Sequence, residues 1–378
     1  MSDISIVFCG DYAPCRGFES VVLNKQSSVL GDALPIIKNS DLSFVNLECL
    51  LTHHNIPIEK SGPALKADPS CIEPLKYFDV VGLANNHIMD YGITGLKDIL
   101  DLCKTNNIPT VGAGLTLEDA QKQLIIERKG VKIAIIAIAE FEFNQSENGG
   151  PGSAPIDLID NYAQIKKAQE DADIVIVTIH GGNEYFPYPR PGLRKICKHF
   201  IDLGVNAVVC HHPHVPGAYE VYNDSPIFYS IGNFIFDHSN PPEGWNEGYM
   251  VEMSFNTSTK KLKSFELIPY EQSVVLGGVQ LLKGNEKVKF LDRVESYRNN
   301  MLNEENWLKE WDGFVKKHED SLIARKYFPV SFRGLGFLSR KFPLARVLLP
   351  KSVLLAKLNI IRCQSHKELL QAVLEKRR

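Results

Sequence analysis

Hydrophobic positions in this chain fall into short, β-branched runs separated by longer amphipathic stretches. Between residue 4 and about residue 270, the runs 4–8, 42–46, 80–84, 132–137, 174–180, 207–210 and 227–231 read as strands. Between them, the stretches 29–38, 95–106, 117–122, 160–171 and 193–203 carry helical spacing. The apolar runs are too short and too β-branched for buried helix segments. Strand and helix in alternation predict an α/β architecture whose strands are largely buried. The stretch 142–155, with Gly149-Gly150-Pro151-Gly152, reads as a long loop, either functional or a disordered connection.

Polar residues concentrate where these runs end. Run 4–8 leads to Gly10-Asp11, and 42–45 to Asn46-Leu47-Glu48. Run 80–84 leads to Asn85-Asn86-His87, followed by Asp90 and Gly92, and 174–179 leads to His180-Gly181-Gly182-Asn183-Glu184. Run 205–210 leads to His211-His212-Pro213-His214, and 227–231 is followed by Gly232-Asn233-Phe234. In α/β folds ligands bind outside the carboxyl ends of strands, so these side chains are placed to converge. Carboxylates, imidazoles and a carboxamide together suit a divalent ion such as Mn²⁺, Fe²⁺ or Zn²⁺. Two ions sharing a carboxylate would acidify a bridging water and clamp an oxyanion during hydrolysis. Each residue taken alone has a structural alternative. Asp11 could cap the following segment, Asn46 and Asn85 could serve turns, and His180 could be a satisfied core histidine. His212 and His214, two apart in a strand tail, are expected on the same side. Such groups at six successive strand ends favour a metal or anion site.

In chain order, Gly10-Asp11, Asn46-Leu47-Glu48, Ala84-Asn85-Asn86-His87 with Asp90-Tyr91-Gly92, and His180-Gly181 with Glu184-Tyr185 form one half of a motif set. His211-His212-Pro213-His214-Val215 and Tyr229-Ser230-Ile231-Gly232-Asn233-Phe234 complete it. The set resembles the CapA family of poly-γ-glutamate capsule biosynthesis, itself similar to calcineurin-like metallophosphoesterases. The resemblance runs from about residue 4 to 270. It implies a four-layer αββα sandwich over 1–272, with 273–378 as a helical, basic C-terminal extension. It also implies Asp11, Glu48, Asn86, His180, His212 and His214 as ligands of one or two divalent ions, with Glu48 in the place of a bridging aspartate. His87 looks like the acid or oxyanion stabiliser near the leaving group. Arg16, Lys60, Asn85, Glu184, His211 and Asn233 are the expected contacts to an anionic substrate, although Arg16 and Lys60 read equally well as solvated surface charges. Two departures matter. The histidine that metallophosphoesterases carry two residues after the first aspartate is Ala13 here, and the bridging carboxylate is one methylene longer. One of two metal positions is therefore expected to lack a ligand.

Composition changes this picture mainly at the C-terminus. A chain of 378 residues, 44% hydrophobic and 23% charged, is ordinary for a folded protein. No leader pattern follows Met1-Ser2-Asp3, and no run approaches the ~18 apolar residues of a membrane span. The eight cysteines lie far apart without a C-x-x-C pair, which suits a reducing compartment. A cytoplasmic protein is expected, at most peripheral at the inner membrane face. Past residue 272 the pattern becomes helical, with polar amphipathic helices over 288–317 and Trp307 and Trp311 one turn apart. From Ser321 onward, thirteen Lys and Arg stand against two Glu, whereas the whole chain has a formal charge of −3. Segments 322–327 and 337–349 interleave apolar and basic residues. They read as an interfacial segment on anionic lipid or as a packed subdomain with a basic face, the latter supported by Pro343 and Pro350. Nucleic acid is not an expected partner, because the aromatics form no recognised module.

Two functions follow. One is a metal-dependent hydrolase or transferase acting on an ester, amide or phosphate bond in capsule or other cell-surface polymer synthesis. The other is a non-catalytic accessory subunit holding an anionic polymer, phosphate or sugar within a synthesis complex. Ala13 and the basic tail favour the second, and His87 beside Asn86 favours the first.

Overall fold

The buried strands sort into two sheets laid face to face. The computed structural model describes residues 3–145, 149–327 and 350–376, with backbone alone over 319–327. The strands of the two sheets are, in chain order, β1 (Asp3–Ala13), β2 (Leu42–Leu47), β3 (Val80–Gly82), β4 (Thr110–Val111), β5 (Leu124–Arg128), β6 (Val131–Ala139) and β7 (Ile174–His180). They continue with β8 (Ala207–His211), β9 (Tyr219–Tyr222), β10 (Ser225–Phe228), β11 (Asn233–Phe236), β12 (Glu247–Asn256), β13 (Leu262–Ser273) and β14 (Gly278–Leu281). An eight-stranded sheet has the order β14-β13-β12-β1-β2-β3-β4, with β11 pairing β1 off that path. A six-stranded sheet has the order β9-β10-β8-β7-β6-β5.

Side-chain alternation explains why both faces of these strands are apolar. From β1, Ile4, Ile6 and Phe8 enter the core between the sheets, while Val7 and Cys9 face the opposite way. From β7, Ile174 and Ile176 meet them across that core, while Val175, Val177 and Ile179 point outward. Helices then cover the outer faces. Over the first sheet lie α1 (Gly17–Lys25), α2 (Leu34–Asn39) and α3 (Gly92–Thr105), contributing Phe18, Val22, Ile37, Leu96 and Ile99. Over the second lie α4 (Leu158–Asp171) and α5 (Pro191–Asp202), contributing Ile165, Ala168, Leu193, Cys197 and Phe200. The result is the expected αββα sandwich.

Two local expectations change. The single helix over 29–38 is broken into a 3₁₀ stretch, Gln26–Ala33, followed by α2. Gly31 sits at φ 49° there, and a Cβ on it would lie 1.9 Å from the Val279 carbonyl oxygen of β14, so close approach of that strand requires glycine. The strand expected over 227–231 ends at Phe228, and Asn233–Phe236 forms a separate strand parallel to β1. Within the loop at 142–155, residues 146–148 lie outside the described ones, while Gly152–Ser153 pairs with Ala113–Gly114.

Beyond β14 the described residues are mainly helical: α6 (Gly284–Leu302), α7 (Glu304–Tyr327), α8 (Lys351–Arg362) and α9 (Gln364–Lys376). Trp307, Trp311 and Val315 of α7, with Leu369 and Val373 of α9, bury against the outer face of the second sheet. Trp307 also donates its indole N–H to the Pro189 carbonyl at 2.9 Å. The basic segment 337–349 lies outside the described residues, as do the side chains of 322–327. Among the described residues, no helix is long and apolar enough to cross a membrane. All eight cysteines are buried and free of disulfides.

Two ion-pair clusters tie helices to the second sheet. Glu220 on β9 is 3% exposed and accepts a forked bond from Arg194 of α5 at 3.0 and 3.1 Å, together with the Tyr229 hydroxyl at 2.7 Å. Burial pushes its pKa up, but Arg194, Tyr229 and Lys198 outweigh that and hold it below the usual value. A depressed carboxylate stabilises the fold above its unfolded pKa of about 4.3 and loses that contribution as pH falls through the folded value. Glu220→Gln is therefore expected to be less stable than wild type at pH 7, with the gap closing below pH 4 in urea titrations. In the second cluster, Arg190 is 2% exposed and pairs with Glu140 at 2.6 Å and with Glu368 of α9. Arg190→Ala strands Glu140 and is expected to cost about 3 kcal/mol, the low end for a broken buried pair because Glu368 keeps some solvent. Urea unfolding of both proteins checks it.

Candidate metal centre

Parallel strands bring their C-terminal ends to one edge of the sandwich, and the polar residues follow. In the backbone register, Asp11 stands beside Asn46 and Asn233, and His180 beside His211. Gly10 permits the close pairing of β1 with the loop before β11, since a Cβ on it would lie 2.0 Å from the Gly232 carbonyl oxygen. Asp11 N–H donates to that same oxygen at 3.2 Å.

Glu48 is the hub. It is fully buried, and neither carboxylate oxygen has a hydrogen-bond donor. Its Oε1 lies 3.5 Å from His180 Nε2, 3.5 Å from His214 Nε2 and 4.0 Å from His87 Nε2. Asp11 Oδ1 accepts from Asn46 Nδ2 at 2.7 Å and lies 3.2 Å from His211 Nδ1. Its Oδ2 accepts from His212 N–H at 3.2 Å and lies 3.6 Å from His214 Nδ1. His180 Nε2 is 3.0 Å from Asn86 Oδ1 and 3.2 Å from His212 Nδ1. Two ligand groups, Asp11–Glu48–His214 and Glu48–His180–His212, each have their donor atoms within 4.8 Å of one another, and both use Glu48.

The electrostatics suit a divalent cation. Burial raises the Glu48 pKa well above its usual value, and the Asp11 charge raises it further. Burial acts upward on Asp11 too, but the His211 and His214 imidazoles more than compensate and hold it well below normal. His180 is driven well down by burial and by the neighbouring His212. A buried carboxylate without a donor is costly, and a divalent ion among these oxygens and nitrogens removes the cost. The residues fit one.

Beside this centre stands His87. Its Nδ1 is 2.6 Å from Asp90 Oδ2, and Asp90 is held in turn by Lys60 Nζ at 2.5 Å and by Leu65 N–H at 2.6 Å. A carboxylate on Nδ1 fixes the ring and turns Nε2 toward Glu48. A cavity of about 570 Å³ opens over these groups, lined by Arg16, Lys60, Asn86, His87, Glu184 and Trp245 among others.

All six expected metal ligands and His87 therefore converge. Of the expected substrate contacts, Arg16, Lys60 and Glu184 line the cavity. Lys60 is no solvated charge, since its side chain is 4% exposed and is spent on Asp90. Asn85, His211 and Asn233 lie behind the wall and brace it. Asn85 donates to the Leu47 carbonyl at 2.7 Å and accepts from His87 N–H at 3.0 Å. His211 backs Asp11, and Asn233 holds His214 Nδ1 at 3.0 Å while donating to the His214 and Trp245 carbonyls. These three brace the centre and are not among the residues that line the cavity. The convergence of His212 and His214 also has a different cause from strand alternation. β8 ends at His211, and both residues turn through positive φ, 97° and 62°, a conformation costly for a β-substituted residue and held here by the surrounding contacts. Asn46, Asp90 and Glu142 are additions. Asn46 and Asp90 could have been found from strand-end placement and from the i, i+3 spacing to His87. Nothing local marks Glu142, which accepts from Asn86 Nδ2 at 3.3 Å.

The family profile described as "Bacterial capsule synthesis protein PGA_cap" matches residues 5–238. The chain is 35% identical over 249 residues to the PGA biosynthesis protein CapA of Bacillus subtilis (strain 168), covering 64% of each chain. It is 33% identical over 262 residues to the capsule biosynthesis protein CapA of Bacillus anthracis, covering 64% of this chain and 61% of that one. The match thus spans somewhat less than two thirds of these relatives' length. Among solved structures, a phosphatase of Mycoplasma pneumoniae aligns at 18% identity and TM-score 0.43, over 71% of this chain and 94% of that one. The calcineurin-like phosphoesterase YfkN of Bacillus subtilis aligns at 13% and 0.42, over 78% and 97%. With more than half its length matched by the profile, the chain belongs to the bacterial capsule synthesis protein PGA_cap family.

Proposed function

We propose that this protein is a metal-dependent hydrolase or transferase that acts on an ester, amide or phosphate bond of an anionic substrate in capsule or other surface-polymer synthesis. The observation that carries the reading is Glu48: a buried carboxylate with two unpartnered oxygens, ringed by imidazoles, beside a His87–Asp90 pair. Asp11, Glu48 and His214 would hold one ion, and Glu48, His180 and His212, with Asn86 Oδ1 alongside, a second; Mn, Fe and Zn all suit such donors. When bound, a divalent ion supplies Lewis acidity to the oxygen of the bond under attack. The chain's own residues do the rest. Asp90 orients His87, whose Nε2 faces the centre and delivers a proton to the leaving group. Arg16 at the cavity mouth attracts the anionic chain of the substrate, and Trp245 and Phe236 supply an apolar wall that excludes water. The names of the similar proteins, PGA and capsule biosynthesis, support a polyanionic substrate class. We further place the protein in the cytoplasm, with the basic stretch after Ser321 contacting an anionic membrane face or a synthesis-complex partner.

A holding role without turnover is the second reading, favoured by Ala13. Its methyl is fully buried at the end of β1, so the position offers no ligand. Metal analysis of the purified chain, followed by a screen of phosphomonoester, phosphodiester and γ-glutamyl substrates with and without chelator, separates the two. Turnover that requires metal supports the enzyme. Metal-loaded protein that retains polymer but turns nothing over supports the holding role, and protein that takes up no divalent ion sinks both metal readings.

A further inference from the structure

We propose that Glu142, Cys363 and His366 form an additional metal site, suited to Zn²⁺, where the C-terminal hairpin closes one wall of the cavity. Donor atoms of the three side chains lie within 4.8 Å of one another. Zinc bonds of about 2.0–2.3 Å place tetrahedral ligands roughly 3.3–3.8 Å apart, so a small contraction completes the triad. A carboxylate, a thiolate and an imidazole are a zinc donor set, too soft for Mg²⁺ or Ca²⁺.

The surroundings hold the three residues in place. Cys363 is the residue between α8 and α9, and the Cys363-x-x-His366 spacing across that junction presents both side chains to the same loop. Glu140 Oε2 accepts from Ser365 N–H at 3.1 Å, and Gln364 Oε1 accepts from Phe141 N–H at 2.8 Å. The junction is thereby pinned to the segment that carries Glu142. Glu142 N–H donates to Asn144 Oδ1 at 2.9 Å, which sets that backbone. Asn359 lies 3.1 Å from His366 Nδ1, the place of the outer partner that orients a metal-bound imidazole. Asn359 Oδ1 is itself buried without a hydrogen-bond partner beside this contact.

Charge points the same way. Cys363 is 1% exposed and sits close to two carboxylates, its Sγ 4.0 Å from Glu140 Oε2. A divalent ion offsets that crowding, and its binding releases the Cys363 proton to solvent. Glu142 and His366 both line the cavity, so an ion held by the triad would border the substrate space. Asn86 joins the two centres, with Oδ1 on His180 and Nδ2 on Glu142. The family match ends at residue 238, so two of the three ligands come from chain outside it.

Cobalt(II) tests the site directly, because thiolate-to-cobalt charge transfer absorbs in the near ultraviolet and the Glu48 centre contains no thiolate ligand. Chelator-stripped full-length protein titrated with Co²⁺ is expected to show this band. The band should persist in Glu48→Gln, which separates this proposal from the reading of the first centre, and vanish in Cys363→Ser. Glu142→Gln and His366→Asn, which retain the thiol, are expected to weaken binding at least about tenfold, and Asn359→Ala about 10–100-fold. No band in the wild type, a band surviving in Cys363→Ser, or unchanged affinity in both Glu142→Gln and His366→Asn overturns the site.

Discussion

Glutamine in place of Glu48 is expected to abolish metal-induced stabilisation while making the metal-free protein harder to unfold. The carboxylate is fully buried, accepts no hydrogen bond and lies near a second carboxylate, Asp11. Without a cation it either carries an unpaid charge or binds a proton against its preference. An uncharged amide of the same shape removes that conflict, and relief of an unsatisfied buried group is worth about 1–3 kcal/mol. The opposite holds once metal is present. An ion at 100 times its Kd stabilises the wild type by about 2.7 kcal/mol, and the variant forfeits this because both ligand groups use Glu48. Thermal unfolding after chelation and after Mn²⁺ or Zn²⁺ addition should therefore show the two proteins exchanging rank. Equal metal-induced shifts in both would contradict the assignment of Glu48 as shared ligand.

His87→Ala is expected to reduce kcat by about 10²–10⁴-fold on whichever substrate is turned over, with metal content unchanged. The geometry gives the reason: Asp90 holds Nδ1 at 2.6 Å, and Nε2 faces the Glu48 side of the cavity, 4.0 Å from Oε1. If His87 protonates the leaving group, the loss must depend on that group. A substrate that departs as a nitrophenolate needs little protonation and should lose far less than one that departs as an alkoxide or amine. A uniform loss across leaving groups would instead assign His87 to binding or oxyanion stabilisation. Asp90→Asn should show the same dependence at smaller amplitude, since it leaves the ring present but poorly oriented.

Much of this site is legible in the sequence. Hydrophobic run length placed the strands, and the polar residues at their ends, because parallel strands share one C-terminal edge, marked out a candidate site in which the family resemblance singled out Asp11, Glu48, Asn86, His87, His180, His212 and His214. The residues read less well are those whose role depends on what stands behind them. Asn85, His211 and Asn233 sit among the same motifs as the ligands, yet their polar atoms turn to a backbone carbonyl, to the Asp11 carboxylate and to the His214 imidazole respectively. Lys60 reads in sequence equally well as a substrate contact or as a surface charge, and only the fold sets Asp90 beneath it.

By itself, the amino-acid sequence determined the α/β class, the two-sided burial of the strands and which residue types crowd the strand ends, because these follow from local period and spacing. Only the tertiary structure decided the rest. The break at Gly31 depends on β14 crossing it, and the convergence of His212 and His214 depends on positive φ in a loop that its neighbours hold. The junction of Glu142 with Cys363 and His366 joins positions more than 200 residues apart, and no local pattern encodes such a contact. Short-range periodicity is written along the chain, whereas long-range adjacency arises only when both faces of each sheet are covered.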